Sequence, residues 1–160
     1  MHLRPLPDEH REQYGDVLNY AFRPEAGPDW DDNRIPDPEG HHPRGFYDAP
    51  PDTPTAALGR DDLVTVCAFY DFTARVRDEW HPLPDISAVA SPPHTRRQGH
   101  IASMLDELLV ELRDTGRYLS ALWPFKYEFY RRFGWATAID ILPALKGEDS
   151  QPRWDIKIRG

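Results

Sequence analysis

The sequence predicts a mixed α/β or α+β fold built on one sheet, and three observations lead to this prediction. Apolar and polar residues alternate over much of the range 56–90, which is typical of strands. Residues 101–112 instead repeat apolar side chains with the period of a helix. The chain then alternates between strand and helix patterns, an order that indicates helices packed on a sheet. With 160 residues, we expect a single domain, 1–160.

The composition narrows the classes of function. The net charge of −8 argues against a general nucleic-acid binder, which would carry a basic face. No apolar run approaches the roughly 20 residues of a membrane span, and the first residues lack the apolar stretch of a signal peptide. Cys67 is the single cysteine, which excludes an internal disulfide and fits a reducing compartment. We therefore expect a cytoplasmic protein that binds neither nucleic acid nor membrane.

The first third of the chain is predicted to contain a strand, a helix and a long loop. Residues 3–5 can start a short strand, and residues 8–22 are predicted to form a helix capped by Asp8. One face of this helix is apolar and consists of Tyr14, Val17, Leu18 and Ala21. Residues 23–54 hold eight prolines and many aspartates, so we interpret them as a long acidic loop.

The range 56–90 is predicted to hold three strands separated by turns. Residues 56–59 are expected to form a short strand, followed by a turn at 60–62. A long strand rich in Val, Thr, Phe and Tyr is expected over 63–76. After a second turn at 78–84, residues 85–90 are expected to form a central strand.

The last third begins with the clearest helix in the sequence. Its apolar face consists of Ile101, Met104, Leu105, Leu108, Leu109 and Leu112, and Gly116 stands where a glycine ends many helices. A buried strand is predicted over 118–123, and Pro124 favours the start of a second helix that ends at Gly134. Residues 135–142 are predicted to form a strand. The alternating Trp154, Ile156 and Ile158 predict a last one.

Residues 89–101 join an apolar strand end to the start of the amphipathic helix, where an anion can bind. Backbone N–H groups and the helix dipole favour negative charge at that point. Gly99 lets the backbone approach a ligand closely, while Arg96 and Arg97 add positive charge. Helix starts normally favour acidic residues, so two arginines there favour a bound anion over a solvated basic pair. The stretch lacks the Gly-Lys-Ser/Thr ending of a P-loop, so ATP is not expected.

Residues 96–101 read Arg-Arg-Gln-Gly-His-Ile, and residues 129–135 read Phe-Tyr-Arg-Arg-Phe-Gly-Trp. These resemble two motifs of the GCN5-related N-acetyltransferase (GNAT) family, the acetyl-CoA pyrophosphate loop Arg/Gln-x-x-Gly-x-Gly/Ala and a Tyr-x-x-x-Gly-Phe/Tyr segment. Ile101 departs from the small residue of the first motif. The chain is also similar, from about 63 to 141, to the N-terminal domain of Eis-like (enhanced intracellular survival) proteins, with their Val-Ala-x-Pro-x-x-Arg-Arg-x-Gly stretch.

This resemblance implies a GNAT-like mixed, mostly antiparallel central sheet flanked by helices. It also implies an N-acetyltransferase that moves an acetyl group directly from acetyl-CoA to an amine. The backbone of Val89 and Ser91 is expected along the pantetheine arm, with Arg97, Gly99 and His100 at the pyrophosphate. The residues expected to bind the cofactor are Val89, Ala90, Ser91, Arg96, Arg97, Gln98, Gly99, His100 and Ile101.

By the same resemblance, Tyr130 is expected to be the general acid that protonates the departing thiolate. A phenol has a pKa of about 10 and stays protonated at neutral pH, whereas a thiol has a pKa of about 8.5. The alternative is that Tyr130 is a core aromatic residue beside Phe129 and Phe133.

The general base and the acceptor remain open. Glu128, His94 and His100 are base candidates by position alone, and each is better explained by a surface or structural role. The loop acids can attract a cationic acceptor or simply be solvated; they are Asp29, Asp31, Asp32 and Asp37. No metal is expected, because His41, His42, His94 and His100 lack partners at zinc-type spacing. Cys67 is interpreted as a small buried residue in a strand.

Eis-like proteins continue into further domains and use a C-terminal carboxylate as the base, which has no counterpart in this sequence unless Gly160 reaches the site. We therefore expect either a fragment of a longer protein or a shorter relative with another base. The alternative to an enzyme is a non-catalytic CoA-binding or assembly domain. The expected partners are acetyl-CoA and an amine-bearing small molecule or protein lysine, and a homo-oligomer is compatible with both functions.

Overall fold

The computed structural model describes residues 1–22 and 40–137. The four loop acids, most of the strand predicted over 135–142 and the predicted strand around Ile156 lie outside the described residues. No helix in the described part is long and apolar enough to cross a membrane.

A central sheet is present, as the sequence predicts, and it has five strands within residues 1–22 and 40–137. Its strands lie in the order β1-β2-β3-β6-β7, and all neighbours are antiparallel except β6 and β7, which are parallel. A separate hairpin consists of β4 and β5. The strands are β1 His2–Pro5, β2 His41–Tyr47, β3 Leu63–Tyr70, β4 Thr73–Val76, β5 Glu79–Pro82, β6 Asp85–Ala90 and β7 Ala121–Leu122.

The long helix α2, His100–Asp114, confirms the helix that the apolar periodicity of residues 101–112 predicts. Its apolar face packs into a cluster with β3 and β6, where Met104, Leu105 and Leu108 are completely buried. Gly116 follows the helix with φ +80°, and the Arg117 N–H donates to the Leu112 carbonyl at 2.8 Å. This is the glycine-terminated helix end that the sequence predicts.

The first helix, α1, spans Arg11–Phe22 and is preceded by a 3₁₀ turn, Asp8–His10. Its predicted apolar face is confirmed, because Tyr14 and Val17 are buried against a second core cluster. The predicted capping role of Asp8 is wrong. The Asp8 carboxylate accepts a hydrogen bond from Arg11 Nε at 2.8 Å and makes no capping bond to the backbone.

Strand β2 corrects the prediction that all of 23–54 is a loop. It lies inside the sheet between β1 and β3, despite Pro43 and Gly45. The Pro43 carbonyl accepts a hydrogen bond from the Leu6 N–H at 3.1 Å, just after β1 ends. Pro43 therefore lies at the end of the hydrogen-bonded ladder between β1 and β2. Gly45 lies under the buried ring of Tyr47, where a Cβ atom would be 2.5 Å from Tyr47 Cε2 and 2.8 Å from Leu63 Cδ1.

We expect Gly45→Ala to lower the free energy of unfolding by about 2 kcal/mol, because the added methyl group overpacks a filled core. Urea denaturation measures the change. Gly59→Ala is the matched control, since its Cβ would meet only Asp62 Oδ2 at 3.6 Å. Equal stabilities of the two variants would contradict this explanation of Gly45.

Three further predictions for the middle of the chain are corrected. Residues 56–59 are not a strand, because Thr55–Ala57 forms a 3₁₀ helix. The strand predicted over 63–76 breaks after Tyr70, where the Asp71 N–H donates to the Gly40 carbonyl outside the ladder. The turn predicted over 78–84 is shorter than expected. Arg77 and Asp78 alone connect β4 to β5, and both have positive φ.

The elements after α2 are shorter than predicted. Instead of a buried strand over 118–123, only β7 pairs, and the neighbouring Tyr118 and Trp123 side chains are exposed. Pro124 does not open the second helix. That helix, α3, spans Tyr127–Arg131, with Lys126 extended before it and turns leading to Gly134. Residues 135–137 are not in a strand.

Candidate active site

A gap between β6 and β7 lies at the centre of the candidate site. The two strands pair only at Asp85 with Ala121 and at Ile86 with Leu122, where β7 ends. Beyond Ile86, Ala88 has φ +55° and the register with β3 shifts, which marks a bulge in β6. The backbone of residues 87–90 therefore has no β7 partner and can bind an extended ligand along this edge.

The segment after β6 leads directly to the start of α2. Gly99 is the residue before the helix, with φ +87° and no side-chain cap, and the first turn carries no acidic residue. Arg97 also has positive φ, at +62°. The first amides of a helix have no intrahelical acceptor, so this start can bind an anion through N–H groups and the helix dipole.

The structure separates the two predicted anion-binding arginines. The Arg96 guanidinium lies 4.7 Å above the Tyr20 ring of α1, and its Nε donates to the Ser91 carbonyl at 3.3 Å. Arg97 is exposed, and among the described residues its side chain makes no ion pair or hydrogen bond. Of the two, Arg97 is thus available to an anion, whereas Arg96 is occupied within the protein.

The remaining residues at the start of α2 also make contacts within the protein. Gln98 Nε2 donates to the His94 carbonyl at 3.1 Å, and His100 Nε2 lies 3.3 Å from Gln98 Oε1. The His100 ring is buried and Ile101 packs against the α2 core cluster. The His100 and Ile101 side chains thus pack within the protein, so a ligand at the helix start can reach their backbone amides, whereas the Gln98 side chain is exposed.

Tyr130 lies in the aromatic core, the position that the alternative to a catalytic role predicts for it. Its ring is buried in the α2 core cluster and meets Phe125, Phe129 and Trp135 edge-on, with ring centres 5.5, 5.1 and 6.0 Å away. Within the described residues, its hydroxyl makes no hydrogen bond. Burial raises the pKa of Tyr130 to about 12, so the hydroxyl keeps its proton throughout the physiological range.

Asp85 is a candidate that sequence reasoning missed. It is the first residue of β6, where β6 and β7 are still paired, and burial raises the pKa of its carboxyl group to about 6. The next residue, Ile86, points into the α2 cluster, so the Asp85 side chain points to the opposite face of the sheet. Among the described residues, no hydrogen bond or ion pair satisfies it. An acidic residue opening a buried strand was the signal available in the sequence.

The other candidate bases do not gather at the gap. Glu128 and His94 are exposed. Of the histidines considered as metal ligands, His42 Nε2 lies 2.7 Å from Asp71 Oδ2, and His41 stacks on Tyr70. In the described ranges, no group of three or more potential metal ligands occurs.

Two further features have no role in the candidate site, and they are Cys67, on β3 beside the bulge in β6, and a groove along α2. Burial raises the pKa of the Cys67 thiol to about 12, which agrees with a small buried residue rather than a nucleophile. An open groove along α2 contains none of the predicted site residues and is lined by Leu3, Asp106, Glu107, Val110 and Glu111.

Comparison with known proteins identifies a family with this arrangement. The profile of the acetyltransferase (GNAT) domain matches residues 2–138. None of the curated proteins matches the chain by sequence.

Several solved structures share the fold. A probable N-acyltransferase from Enterococcus faecalis V583 is 25% identical, with a TM-score of 0.65, and 83% of this chain and 31% of that chain are covered. A predicted acetyltransferase with acetyl-CoA from Clostridium acetobutylicum is 16% identical, with a TM-score of 0.62 and coverage of 88% and 93%. Eis1 from Mycobacterium abscessus is 15% identical, with a TM-score of 0.62 and coverage of 84% and 31%. The present chain thus spans about a third of the length of the Enterococcus and Mycobacterium proteins.

Proposed function

The chain belongs to the acetyltransferase (GNAT) domain family, whose enzymes use acetyl-CoA as co-substrate, and on this premise we propose that it transfers an acetyl group directly to an amine. The observation that carries the proposal is the continuity of two features. The gap beside residues 87–90 runs into the start of α2, where Arg97 and the first helical amides are available. An extended thioester arm with a pyrophosphate at one end matches both features.

The cofactor residues that the sequence suggests take different roles in this proposal. The backbone of Val89, Ala90 and Ser91 flanks the pantetheine arm, where β6 has no β7 partner. Arg97 and the backbone N–H groups that follow it bind the pyrophosphate. The side chain of Arg96 instead contacts the Ser91 carbonyl and the Tyr20 ring, and that of Ile101 packs against the core cluster of α2.

The reaction we propose needs one base and one acid. The amine nitrogen attacks the thioester carbonyl carbon, so a C–N bond forms and an oxyanion develops. When the oxyanion collapses, the C–S bond breaks and its electron pair leaves on the CoA sulfur. The sulfur takes a proton from the Tyr130 hydroxyl, and the amine nitrogen gives one to the Asp85 carboxylate. Exchange with solvent restores both side chains, and the products are an amide and the CoA thiol.

The surroundings of the two groups support these roles. Tyr130 lies on the α2 face of the sheet and Asp85 on the opposite face, so they can act on the sulfur and the nitrogen from opposite sides. A carboxyl group with a pKa of about 6 is ionised at pH 7.5 yet is a stronger base than an ordinary aspartate. Burial that raises the pKa of Tyr130 also raises that of a thiol beside it, which favours transfer of the proton to sulfur.

For the acceptor, we propose an amine that is cationic in solution and loses its extra proton to solvent before the neutral nitrogen attacks, either a small molecule or a protein lysine. The net charge of −8 supports attraction of a cation. An Eis-like specificity is a narrower version of this proposal, supported by the motif order around residues 89–135 and the shared fold. A cytoplasmic location and the extent of the domain, 1–160, stay predictions.

An acetylation assay with the purified chain tests the function. Acetyl-CoA is incubated with a polyamine, an aminoglycoside and a lysine peptide, while thiol release and the mass of each amine are followed. We expect an acetyl group on at least one amine, with one thiol released for each. Calorimetric binding of CoA without turnover would favour the non-catalytic alternative. Absence of CoA binding would contradict both functions.

Arg97→Ala is expected to raise the Kd for CoA about tenfold, since it removes the available cation at the pyrophosphate. Calorimetry at two salt concentrations measures the effect, and the loss should shrink at high salt. Arg75→Ala is the control, because it removes an exposed arginine on the β4–β5 hairpin. Unchanged affinity in the Arg97 variant would refute the pyrophosphate assignment.

A further inference from the structure

Buried hydroxyl groups link strand β3 to the segment between β6 and α2. Thr65 Oγ1 donates to the Ala90 carbonyl at 2.6 Å, and Ser91 Oγ donates to Thr65 Oγ1 at 2.9 Å. Farther along the segment, Thr95 Oγ1 donates to the Val64 carbonyl at 2.6 Å. Thr65, Ser91 and Thr95 are all buried. Because an unbonded polar group in the interior is unfavourable, these bonds favour one position of the segment relative to β3.

A second contact fixes the same segment to helix α1. Arg96 Nε donates to the Ser91 carbonyl, while its guanidinium lies over the Tyr20 ring, an attractive arrangement of a cation and an aromatic face. Residues 90–96 are thereby held on two sides. Arg97 follows immediately and Gly99 two residues later, and both are exposed with positive φ.

We propose that Thr65 is a positioning residue for the cofactor, which sets the distance between the β6 edge and the pyrophosphate-binding start of α2. The inference rests on the proposed function of this site. Thr65 acts through the backbone of residues 90–95 and is not itself at the ligand. The productive binding of an acetyl donor that occupies both the β6 edge and the helix start depends on this distance. The binding of an acetyl donor that ends before the pyrophosphate does not depend on it.

The test compares acetyl-CoA with acetyl-pantetheine, which carries the same thioester arm without the pyrophosphate. Thr65→Val removes the hydroxyl and keeps the shape of the side chain. We expect kcat/KM for acetyl-CoA to fall about tenfold relative to that for acetyl-pantetheine. Partial unfolding lowers both values equally, so the ratio reports positioning rather than stability.

Three variants accompany this measurement. Thr65→Ser retains the hydroxyl and should restore the wild-type ratio, and Thr73→Val makes the same chemical change at an exposed threonine of β4. Thr95→Val should lower the ratio as well, and it carries the test if Thr65→Val does not fold. A wild-type enzyme without preference for acetyl-CoA would contradict the pyrophosphate site itself. A preference for acetyl-CoA that survives both Thr65→Val and Thr95→Val would overturn only the positioning role.

Discussion

Tyr130→Phe is expected to lower kcat for acetyl transfer about 100-fold and to leave the KM for acetyl-CoA nearly unchanged. General acid catalysis contributes on the order of 10²–10⁴-fold, and this substitution removes only the proton donor. The phenyl ring keeps its contacts with Phe125, Phe129 and Trp135, so the core should remain intact. Steady-state kinetics with the best acceptor, together with calorimetric CoA affinity, measures both effects.

Tyr127→Phe is the matched control, because the same hydroxyl is lost from an exposed ring on the same helix. Only the Tyr130 variant should lose activity.

Since burial raises the pKa of Tyr130 to about 12, ionisation of this residue should cause no loss of wild-type activity up to about pH 11. Undiminished turnover in the Tyr130 variant would remove it from the acid role and leave it as a core aromatic residue.

Asp85→Asn is the second substitution with a large expected effect, a loss of about 100-fold in kcat. Asparagine fills the same space but cannot accept the proton of the amine. In the wild type, kcat should rise as the pH passes through about 6, because the carboxyl group with its raised pKa must ionise to act. The variant should lack this acidic limb. A pH series of kcat from 5 to 9 measures both.

The raised pKa of Asp85 also predicts a change in stability with a defined sign. In the unfolded chain, an aspartate has a pKa of about 3.9, below its folded value of about 6. Folding therefore favours the protonated form, and the contribution of Asp85 to stability falls as the pH rises from about 4 through 6. Relative to the wild type, Asp85→Asn should be more stable at pH 8 than at pH 4.

Asp106→Asn, a substitution of an exposed residue on α2, should change neither the turnover and its pH dependence nor the pH dependence of stability. Thermal unfolding at the two pH values provides the stability measurement. A variant at position 85 that retains both its turnover and its acidic limb would exclude Asp85 as the base. If activity is lost but the acidic limb persists, another group must titrate there.

The elements that the sequence predicted correctly depend on local periodicity. Helix α2 and strand β6 have apolar patterns that match their burial, and Gly116 ends the helix through its positive φ. Strand β2 was missed because Pro43 and Gly45 indicate a loop when only neighbouring residues are considered. Its place in the sheet depends on Tyr47, which packs over Gly45, and on pairing with both β1 and β3.

The sequence by itself determined the family, and it suggested the donor loop and the role of Tyr130, since all three depend on short contiguous motifs. Only the tertiary structure distinguished Arg97 from Arg96, because the partner of Arg96 is Tyr20 on a helix distant in sequence. It likewise revealed Asp85, whose carboxyl pKa is raised by burial between strands rather than by its neighbours in the chain. Burial and cross-strand contacts arise only when distant segments pack together, so no local pattern encodes them.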